Sequence, residues 1–385
     1  MPQSSLRIPE LDGLRGIAVL MVLAYHLFHY SMMGHVWSGL GSFAFSATKN
    51  GWEGVDLFFA LSGFLITGIL LDTRTDPRYF RNFYARRGLR ILPLYYLVLL
   101  VIWIGYAHSG VFVALGLVYL SNIALMFKIP MLNGAIWSLS VEEHFYLIWP
   151  QFVYRLRMRT VAMVASLICL CEPVIRGLAS PHVQTVYVYT WFRLDGLACG
   201  ALMACALRST KYSVRRATIL SACMAAAGIL FQIVGAPHGI STHDNRFGAA
   251  FQFVPLNLMF SAAVLFAASM TGSIWTRVLR NSFLRVAADL SYCLYLVHCM
   301  VMNGYDGVLK QMGRGPAAAS FGGVAVRAAV VLGACFAIAA LSRRFMELPA
   351  LSLRKFFLPR PEGAAAVPSA VEAPTATERG PALPA

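Results

Sequence analysis

The chain has 385 residues, of which 58% are hydrophobic and only 13% are charged, and its mean hydropathy is +0.64. Soluble domains are about 45–50% apolar and about 25% charged, so this composition excludes an ordinary soluble enzyme, a disulfide-rich secreted scaffold, a coiled coil and a disordered regulator. The 32 Lys and Arg against 17 Asp and Glu give a net charge of +15. Because these basic residues lie between long apolar runs, the expected partner is a lipid bilayer and not nucleic acid. The sequence therefore predicts an all-α, polytopic integral membrane bundle.

Apolar runs that could cross a bilayer, which takes about 20 residues, recur along the chain. They lie at 16–33, 54–71, 91–107, 111–127, 137–154, 160–175, 191–207, 217–235, 252–270, 286–303 and 323–342. Lys and Arg cluster in alternate loops, at 74–90, 155–159, 208–216, 277–285 and 343–355. Cytoplasmic loops carry an excess of positive charge, and all five clusters face the cytoplasm only if one run does not cross. We therefore predict about ten crossings, with 111–127 as a re-entrant or interfacial segment and both termini in the cytoplasm.

Two regions are expected from the composition of the chain. Residues 1–357 form the membrane domain, and the Ala- and Pro-rich residues 358–385 form a disordered cytoplasmic tail, because they cannot bury a core. No A-x-A-like cleavage site follows the first apolar run, so we expect it to be a permanent helix and not a signal peptide. The eight cysteines lie in or beside apolar runs without zinc-ligand spacing. We expect them to pack as small hydrophobic residues, and we expect no metal site.

An ionisable pair in the first apolar run is the most informative feature of the sequence, because such groups in a membrane are paired or face a cavity. Arg15 and His26 are eleven positions apart, so they share a helix face and are separated by about 16 Å along the axis. His26 would lie near the middle of the membrane, where an imidazole can accept a proton from a hydroxyl group. A hydrogen bond to a neighbouring helix is the alternative. His29 lies one turn further on, but no carboxylate or thiol at ligand spacing accompanies it.

Two more polar stretches border the second and third predicted spans. GVDLFFALSGFLI (54–66) places Asp56, Ser62 and Gly63 in the second span, either lining a substrate cavity or packing helices together. RRGLRILP (86–93) follows the first basic loop. Its guanidinium groups are suited to bidentate binding of phosphates, although an ordinary cluster at the lipid headgroups has the same composition.

A third stretch, NGAIWSLSVEEHFY (133–146), opens a span from the outer side. Its adjacent carboxylates, Glu142 and Glu143, are available to sugar hydroxyls or to a cationic partner. Alternatively, Ser140 and Glu143 have the spacing of a helix capping box. The single charges in FRLDG (192–196) and FMELP (345–349) are expected to form structural ion pairs.

Together these stretches resemble the membrane-bound acyltransferase-3 family of bacterial O-acyltransferases. The motifs follow the family order and are LDGLRGIAVLMVLAYH (11–26), GVDLFFALSGFLI (54–66), RRGLRILPLYY (86–96), WSLSVEEHFYLIWP (137–150), RLDGLACGAL (193–202), LSYCLYLVH (290–298) and ELP (347–349). One departure is His144, where the family more often has Gln. Another is the absence of the esterase-like domain that some members carry.

The resemblance implies transfer of an acyl group, usually acetyl, from acetyl-CoA on the cytoplasmic side to a carbohydrate hydroxyl, in the inner membrane of a bacterial cell. It implies Arg15 and His26 as the catalytic pair, with His26 as the base, and Arg86, Arg87 and Arg90 as the residues that bind coenzyme A. The acceptor is expected to meet polar and small residues of the other motifs, namely Asp12, Asp56, Ser62, Gly63, Trp137, Ser138, Glu142 and Glu143.

Several alternatives stay open at this point. A proton-coupled transporter or flippase would also combine many spans with a buried histidine, although no inverted halves are visible, and a structural or signalling membrane protein would leave the histidine unexplained. The acceptor is a surface polysaccharide, a lipid-linked sugar or a small secreted molecule such as a macrolide. Direct transfer is expected, because no Ser or Cys has a recognisable nucleophile-plus-base arrangement.

Overall fold

The computed structural model describes residues 8–179, 183–241, 245–313 and 320–357, and within these ranges the chain is helical without a strand. The predicted tail over 358–385 lies outside them. The α-helices are α1 Pro9–Ala24, α2 Gly39–Ala47, α3 Gly54–Asp72, α4 Tyr79–Gly105, α5 Gly110–Leu117, α6 Ile136–Arg155, α7 Met158–Ala179, α8 Val183–Val188, α9 Leu194–Leu207, α10 Val214–Gly235, α11 Arg246–Phe251, α12 Phe253–Ser269, α13 Ser282–Gln311, α14 Phe321–Ser342 and α15 Leu348–Ser352.

Within the described residues, eight helical segments are long and apolar enough to cross a bilayer. The two other predicted crossings are also helices, α6 and α9. α6 has 20 residues and includes Glu142 and Glu143, which lower its hydropathy, and α9 has only 14 residues. The prediction of an all-α polytopic membrane protein is confirmed, and the number of crossings depends on these two helices.

The run 111–127 does not form a helix of spanning length. α5 has 8 residues, and the chain then continues as a 3-10 helix over Ser121–Phe127. Tyr119 and Lys128, on either side of that 3-10 helix, have left-handed φ values of 59° and 57°. Eight helical residues rise about 12 Å, against a hydrocarbon core of about 30 Å. This geometry agrees with a segment that does not cross.

The five basic loops lie at one end of the bundle, together with the start of α1. Two ion pairs join them, Glu10 with Arg280 at 2.9 Å and Asp72 with Arg208 at 2.6 Å. Two backbone carbonyls also accept hydrogen bonds from arginines of these loops, that of Tyr154 from Arg74 at 3.1 Å and that of Arg86 from Arg354 at 3.5 Å. The alternation of basic and neutral loops along the sequence thus corresponds to two different ends of the folded bundle. We call the first of these the basic end.

α3 and α9 pack with their backbones in contact through two glycines. A Cβ on Gly63 would overlap the carbonyl oxygen of Leu197, and a Cβ on Gly200 would overlap that of Ala60. Small residues permit such close approach between membrane helices. The structure therefore gives Gly63 a packing contact with α9.

The FRLDG stretch forms the ion pairs that its isolated charges predict. Arg176 is fully buried, and its Nη1 lies 2.7 Å from Asp195 and 3.3 Å from Glu172. Arg193 is equally buried, and its Nη2 lies 2.8 Å from Asp56. These ion pairs join α3, α7 and α9. Each of these buried charged side chains therefore has a partner of opposite charge.

Replacing Arg193 by Met is expected to destabilise the protein by about 3–5 kcal/mol, because Asp56 is left buried without its counter-charge. The double variant Arg193→Met with Asp56→Asn removes both charges and should recover most of that loss. The measurement is denaturant unfolding of the purified variants in mixed detergent micelles. An equal loss in the single and the double variant would contradict this interpretation of the pair.

Candidate active site

Four arginines from three parts of the chain meet near the basic end. Arg15 lies on α1, Arg87 and Arg90 lie on α4, and Arg354 lies in a 3-10 helix over Leu353–Phe357. Arg90 is close enough to interact electrostatically with the other three. Among the described residues, neither Arg87 nor Arg90 has a carboxylate oxygen within 4.0 Å, and Nε of Arg87 has no hydrogen-bond partner. Such a cluster is suited to an anion that offers several oxygens, as a phosphate does.

Two further predicted residues flank this arginine cluster. The carbonyl oxygen of Arg86 accepts a hydrogen bond from Arg354 at 3.5 Å, and the Arg86 side chain interacts electrostatically with Asp76. Asp12 lies one turn before Arg15 on α1 and interacts with it. The structure thus brings together, in one region, the four arginines that the sequence predicts for the site: Arg15, Arg86, Arg87 and Arg90.

Tyr146 joins the arginines to a carboxylate in the interior. The Arg87 guanidinium carbon lies 4.1 Å from the centroid of the Tyr146 ring. The Tyr146 hydroxyl donates to Oε2 of Glu142 at 2.8 Å, and the Ser62 hydroxyl donates to Oε1 at 3.0 Å. Two residues predicted from different motifs, Ser62 and Glu142, are therefore hydrogen-bonded partners.

The capping interpretation of Ser140 and Glu143 is wrong. α6 begins at Ile136, so Ser140 lies inside the helix and not at its N-terminus. The Ser140 hydroxyl lies 2.9 Å from that of Ser121. Oε1 of Glu143 is buried and has no hydrogen-bond partner among the described residues, which leaves that oxygen available to a hydroxyl donor.

α13 continues the line of polar groups from Glu142 toward His26. The Tyr295 side chain interacts electrostatically with Glu142, and its hydroxyl lies 2.6 Å from Oγ of Ser138. One turn later on α13 is His298, whose Nδ1 lies 2.7 Å from the Tyr295 carbonyl oxygen. Trp137, next to Ser138, is buried with its ring centroid 4.9 Å from that of Tyr187.

His26 faces His298 in the interior of the bundle. The ring centroids are 4.9 Å apart, and Nδ1 of His26 lies 3.4 Å from Nε2 of His298. The same Nδ1 lies 3.0 Å from the Val22 carbonyl oxygen. Nε2 of His26 forms no hydrogen bond with the described residues, so contact with a neighbouring helix occupies only one of its two ring nitrogens. At this point α1 passes into a π-helical segment, Tyr25–Tyr30, and such segments are frequent at functional sites.

Groups from the opposite end of the bundle reach the other side of His26. The Ser31 hydroxyl donates to the His26 carbonyl at 2.6 Å and accepts a hydrogen bond from Arg327 at 2.7 Å. Arg327 also pairs with Asp306 at 2.6 Å. Nδ1 of His29 lies 2.8 Å from the Phe45 carbonyl. His26 therefore stands between the arginine cluster and the end opposite to it.

The His26–His298 contact also includes a thiol. The Cys299 thiol lies 3.3 Å from Nε2 of His298, and one nitrogen or sulfur atom from each of the three residues lies within 4.8 Å of the others. These are donor types that soft metals accept. However, a carbonyl oxygen only accepts hydrogen bonds, so Nδ1 of His26 carries a proton while it is bonded to Val22. We therefore interpret the two contacts of His298 Nε2, with Cys299 and with His26, as hydrogen bonds.

Four residues of this region were missed from the sequence: Tyr146, Tyr295, His298 and Arg354. His298 could have been found, because a histidine in an apolar run is the same signal that selected His26. Arg354 lies in the last basic cluster, 343–355, whose composition indicates only the orientation of the chain. The two tyrosines lie in motifs of the resemblance, WSLSVEEHFYLIWP (137–150) and LSYCLYLVH (290–298), but their residue type alone does not separate them from packing residues.

The comparison with protein families agrees with this arrangement. The family model described as "Acyltransferase domain" matches residues 8–342, so the chain belongs to this acyltransferase family. The resemblance drawn from the motifs is confirmed, as is the assignment to the acyltransferases. No solved structure matches the chain.

Curated relatives of this chain include proteins named as O-acetyltransferases. The putative peptidoglycan O-acetyltransferase YrhL of Bacillus subtilis is 35% identical over 236 residues, which cover 52% of this chain and 33% of that protein. The peptidoglycan O-acetyltransferase OatA of Listeria monocytogenes is 35% identical over 165 residues, 38% of this chain and 24% of that protein. The O-acetyltransferase OatA of Staphylococcus aureus is 26% identical over 329 residues, which cover 76% of this chain and 50% of that protein. The chain thus spans half or less of the length of these relatives.

Proposed function

We propose that this protein transfers an acetyl group from acetyl-CoA to a carbohydrate hydroxyl, with His26 as the general base. The observation that carries the proposal is the position of His26, whose Nε2 is free of hydrogen bonds to the described residues and which lies between an arginine cluster and the opposite end of the bundle. The printed names of the relatives make a peptidoglycan-type glycan the acceptor class to test first.

The arginine cluster supplies the proposed donor site. The coenzyme A phosphates would bind Arg87 and Arg90, with Arg15 and Arg86 close by. The pantetheine arm would then extend past Ser62 and Glu142 toward His26. This direction is supported by the line of neighbouring groups from Arg87 through Tyr146, Glu142 and Tyr295 to His298, in which Glu142 and Tyr295 interact electrostatically.

The proposed reaction is a direct transfer. Nε2 of His26 takes the proton of the acceptor hydroxyl as the oxygen attacks the thioester carbonyl carbon, and a general base of this kind contributes about 10²–10⁴ to a rate. The new C–O bond replaces the C–S bond, and the coenzyme A thiolate leaves and takes the proton from His26. Positioning both substrates in one site supplies much of the remaining acceleration.

The acceptor would approach from the end opposite to the arginines. The free carboxylate oxygen of Glu143 and the hydroxyl of Ser138 are the polar groups proposed to contact it, together with Trp137, which is next to Ser138 in the sequence. Asp12 and Asp56 are proposed to act further from the reacting atoms, since Asp12 lies beside Arg15 and Asp56 is paired with Arg193.

The test is an assay of the purified protein in detergent, with radiolabelled acetyl-CoA and soluble peptidoglycan fragments released by a muramidase. Label that appears on the glycan and is removed by mild alkali would support O-acetyl transfer. No transport is measurable in detergent, so a transporter or flippase predicts an unlabelled glycan, and that result with a folded protein would contradict the proposal.

We also propose that the protein lies in a bacterial inner membrane with both termini in the cytoplasm. The five basic loops at one end of the bundle support this orientation, because positive loops stay inside. A periplasmic activity reporter fused after Lys128 is then expected to be active. Activity at this position of a second reporter, one that works only in the cytoplasm, would contradict the orientation.

A further inference from the structure

The contacts of His298 assign its protonation. Its Nδ1 lies 2.7 Å from the Tyr295 carbonyl, and a carbonyl needs a donor, so Nδ1 carries the proton. In the neutral ring Nε2 then holds a lone pair. Two groups point at that lone pair, the Cys299 thiol at 3.3 Å and Nδ1 of His26 at 3.4 Å. His298 is 1% exposed, so water does not compete for this nitrogen.

The contacts of His26 are consistent with this arrangement. Its Nδ1 faces two acceptors, the Val22 carbonyl at 3.0 Å and Nε2 of His298 at 3.4 Å. Both are satisfied only if Nδ1 carries the proton, which leaves the lone pair of His26 on Nε2. The Val22 carbonyl also accepts the backbone N–H of Tyr25, so the imidazole shares this acceptor with the backbone.

We infer that His298 is a positioning residue of the acyl transfer: its Nε2 accepts the Nδ1 proton of His26, fixes the tautomer that exposes a basic Nε2, and stabilises the imidazolium once His26 has taken the hydroxyl proton. This inference rests on the proposed function of His26. Partners that orient a functional imidazole through its second nitrogen are a general requirement of such sites. Here a neutral histidine takes the place that a carboxylate takes in serine hydrolases.

Two substitutions of similar volume test the role of the acceptor. His298→Gln keeps an oxygen that can accept a hydrogen bond, and His298→Met does not. With acetyl-CoA and the muramidase fragments as probes, His298→Met is expected to lower kcat by about 10–100-fold with little change in KM for acetyl-CoA. His298→Gln should recover most of kcat. Equal activity in both variants, whether high or low, would overturn the inference.

A spectroscopic measurement on the unmodified sequence does not depend on the activity of the His298 variants. In protein labelled with ¹⁵N-histidine, the signals of His26 among the nine histidines are those missing from the His26→Ala variant. Neutral His26 is expected to carry its proton on Nδ1. A proton on Nε2 would overturn the inference even if the enzyme is active, whereas an inactive enzyme with a protonated Nδ1 would count only against the proposed function.

The Cys299 thiol provides a further comparison. It contacts Nε2 of His298 but forms no hydrogen bond with His26 among the described residues, so Cys299→Ala is expected to change kcat by less than about 3-fold. Loss of transfer in this variant would instead indicate that Nε2 of His298 activates the Cys299 thiol. Stoichiometric zinc in the purified protein would indicate that this nitrogen binds a metal.

Discussion

Replacement of His26 by Ala is expected to lower kcat for acetyl transfer by about 10²–10⁴-fold, the contribution of a well-placed general base. Donor affinity should stay close to that of the original protein, because Arg15, which belongs to the arginine cluster proposed to hold coenzyme A, lies about 16 Å from His26 along the axis of α1. The measurement is transfer of radiolabelled acetyl to muramidase fragments, with binding of acetyl-CoA determined separately by calorimetry.

His29→Gln is the matched control for this variant. His29 lies one turn further on the same helical segment, but its Nδ1 is directed to the Phe45 carbonyl at 2.8 Å and its ring is stacked on that of Phe45 at 4.1 Å. The control is expected to retain kcat within about 3-fold. Unchanged turnover in His26→Ala would remove His26 from the reaction.

The second large effect is expected at the arginine cluster. Arg87→Gln combined with Arg90→Gln should raise KM for acetyl-CoA by about 10²–10⁴-fold, because a hydrogen bond to a charged group contributes about 1.5–3 kcal/mol and two such groups are removed. The effect on kcat at saturating donor should be much smaller. Donor binding by the original protein should weaken as salt is added, since Arg87 and Arg90 are only half-buried and salt screens their attraction to the phosphates.

Arg81→Gln is the control for loss of positive charge. Arg81 lies on the same helix but is exposed, with its guanidinium carbon 5.5 Å from the Phe357 ring centroid. A rise in KM as large in this variant as in the double variant would indicate a general charge effect. An unchanged KM in the double variant would contradict phosphate binding by Arg87 and Arg90.

The helices, and the meeting of the basic loops at one end of the bundle, could be predicted from the sequence because the bilayer imposes simple rules on length and charge. Apolar runs of about 20 residues became α1, α3, α4 and the later long helices, and the alternating basic loops meet at one end. α9 shows where the length rule is insufficient. The run 191–207 predicts a crossing, but the helix that forms there has only 14 residues, fewer than the roughly 20 that a crossing takes.

The site was predicted only as far as local patterns extend. Arg87 with Arg90, and Arg15 with His26, are separated by whole helical turns, so their shared faces follow from periodicity. The contact between His26 and His298 joins positions 272 residues apart and depends on how α1 packs against α13. For the same reason the hydrogen bond between Ser62 and Glu142 could not be read from their motifs, and neither could the approach of Arg354 to α4.

The central claim is that the donor and the acceptor reach His26 from opposite faces of the membrane, and the most direct test places the two substrates on opposite sides. The purified protein is reconstituted into sealed vesicles with muramidase fragments trapped inside, and radiolabelled acetyl-CoA is added outside only. Molecules whose basic end faces outward are expected to label the trapped glycan, and this labelling should be absent with His26→Ala. Labelling that occurs only when donor and glycan share one side of the membrane would contradict a reaction in which substrates from opposite faces meet at His26.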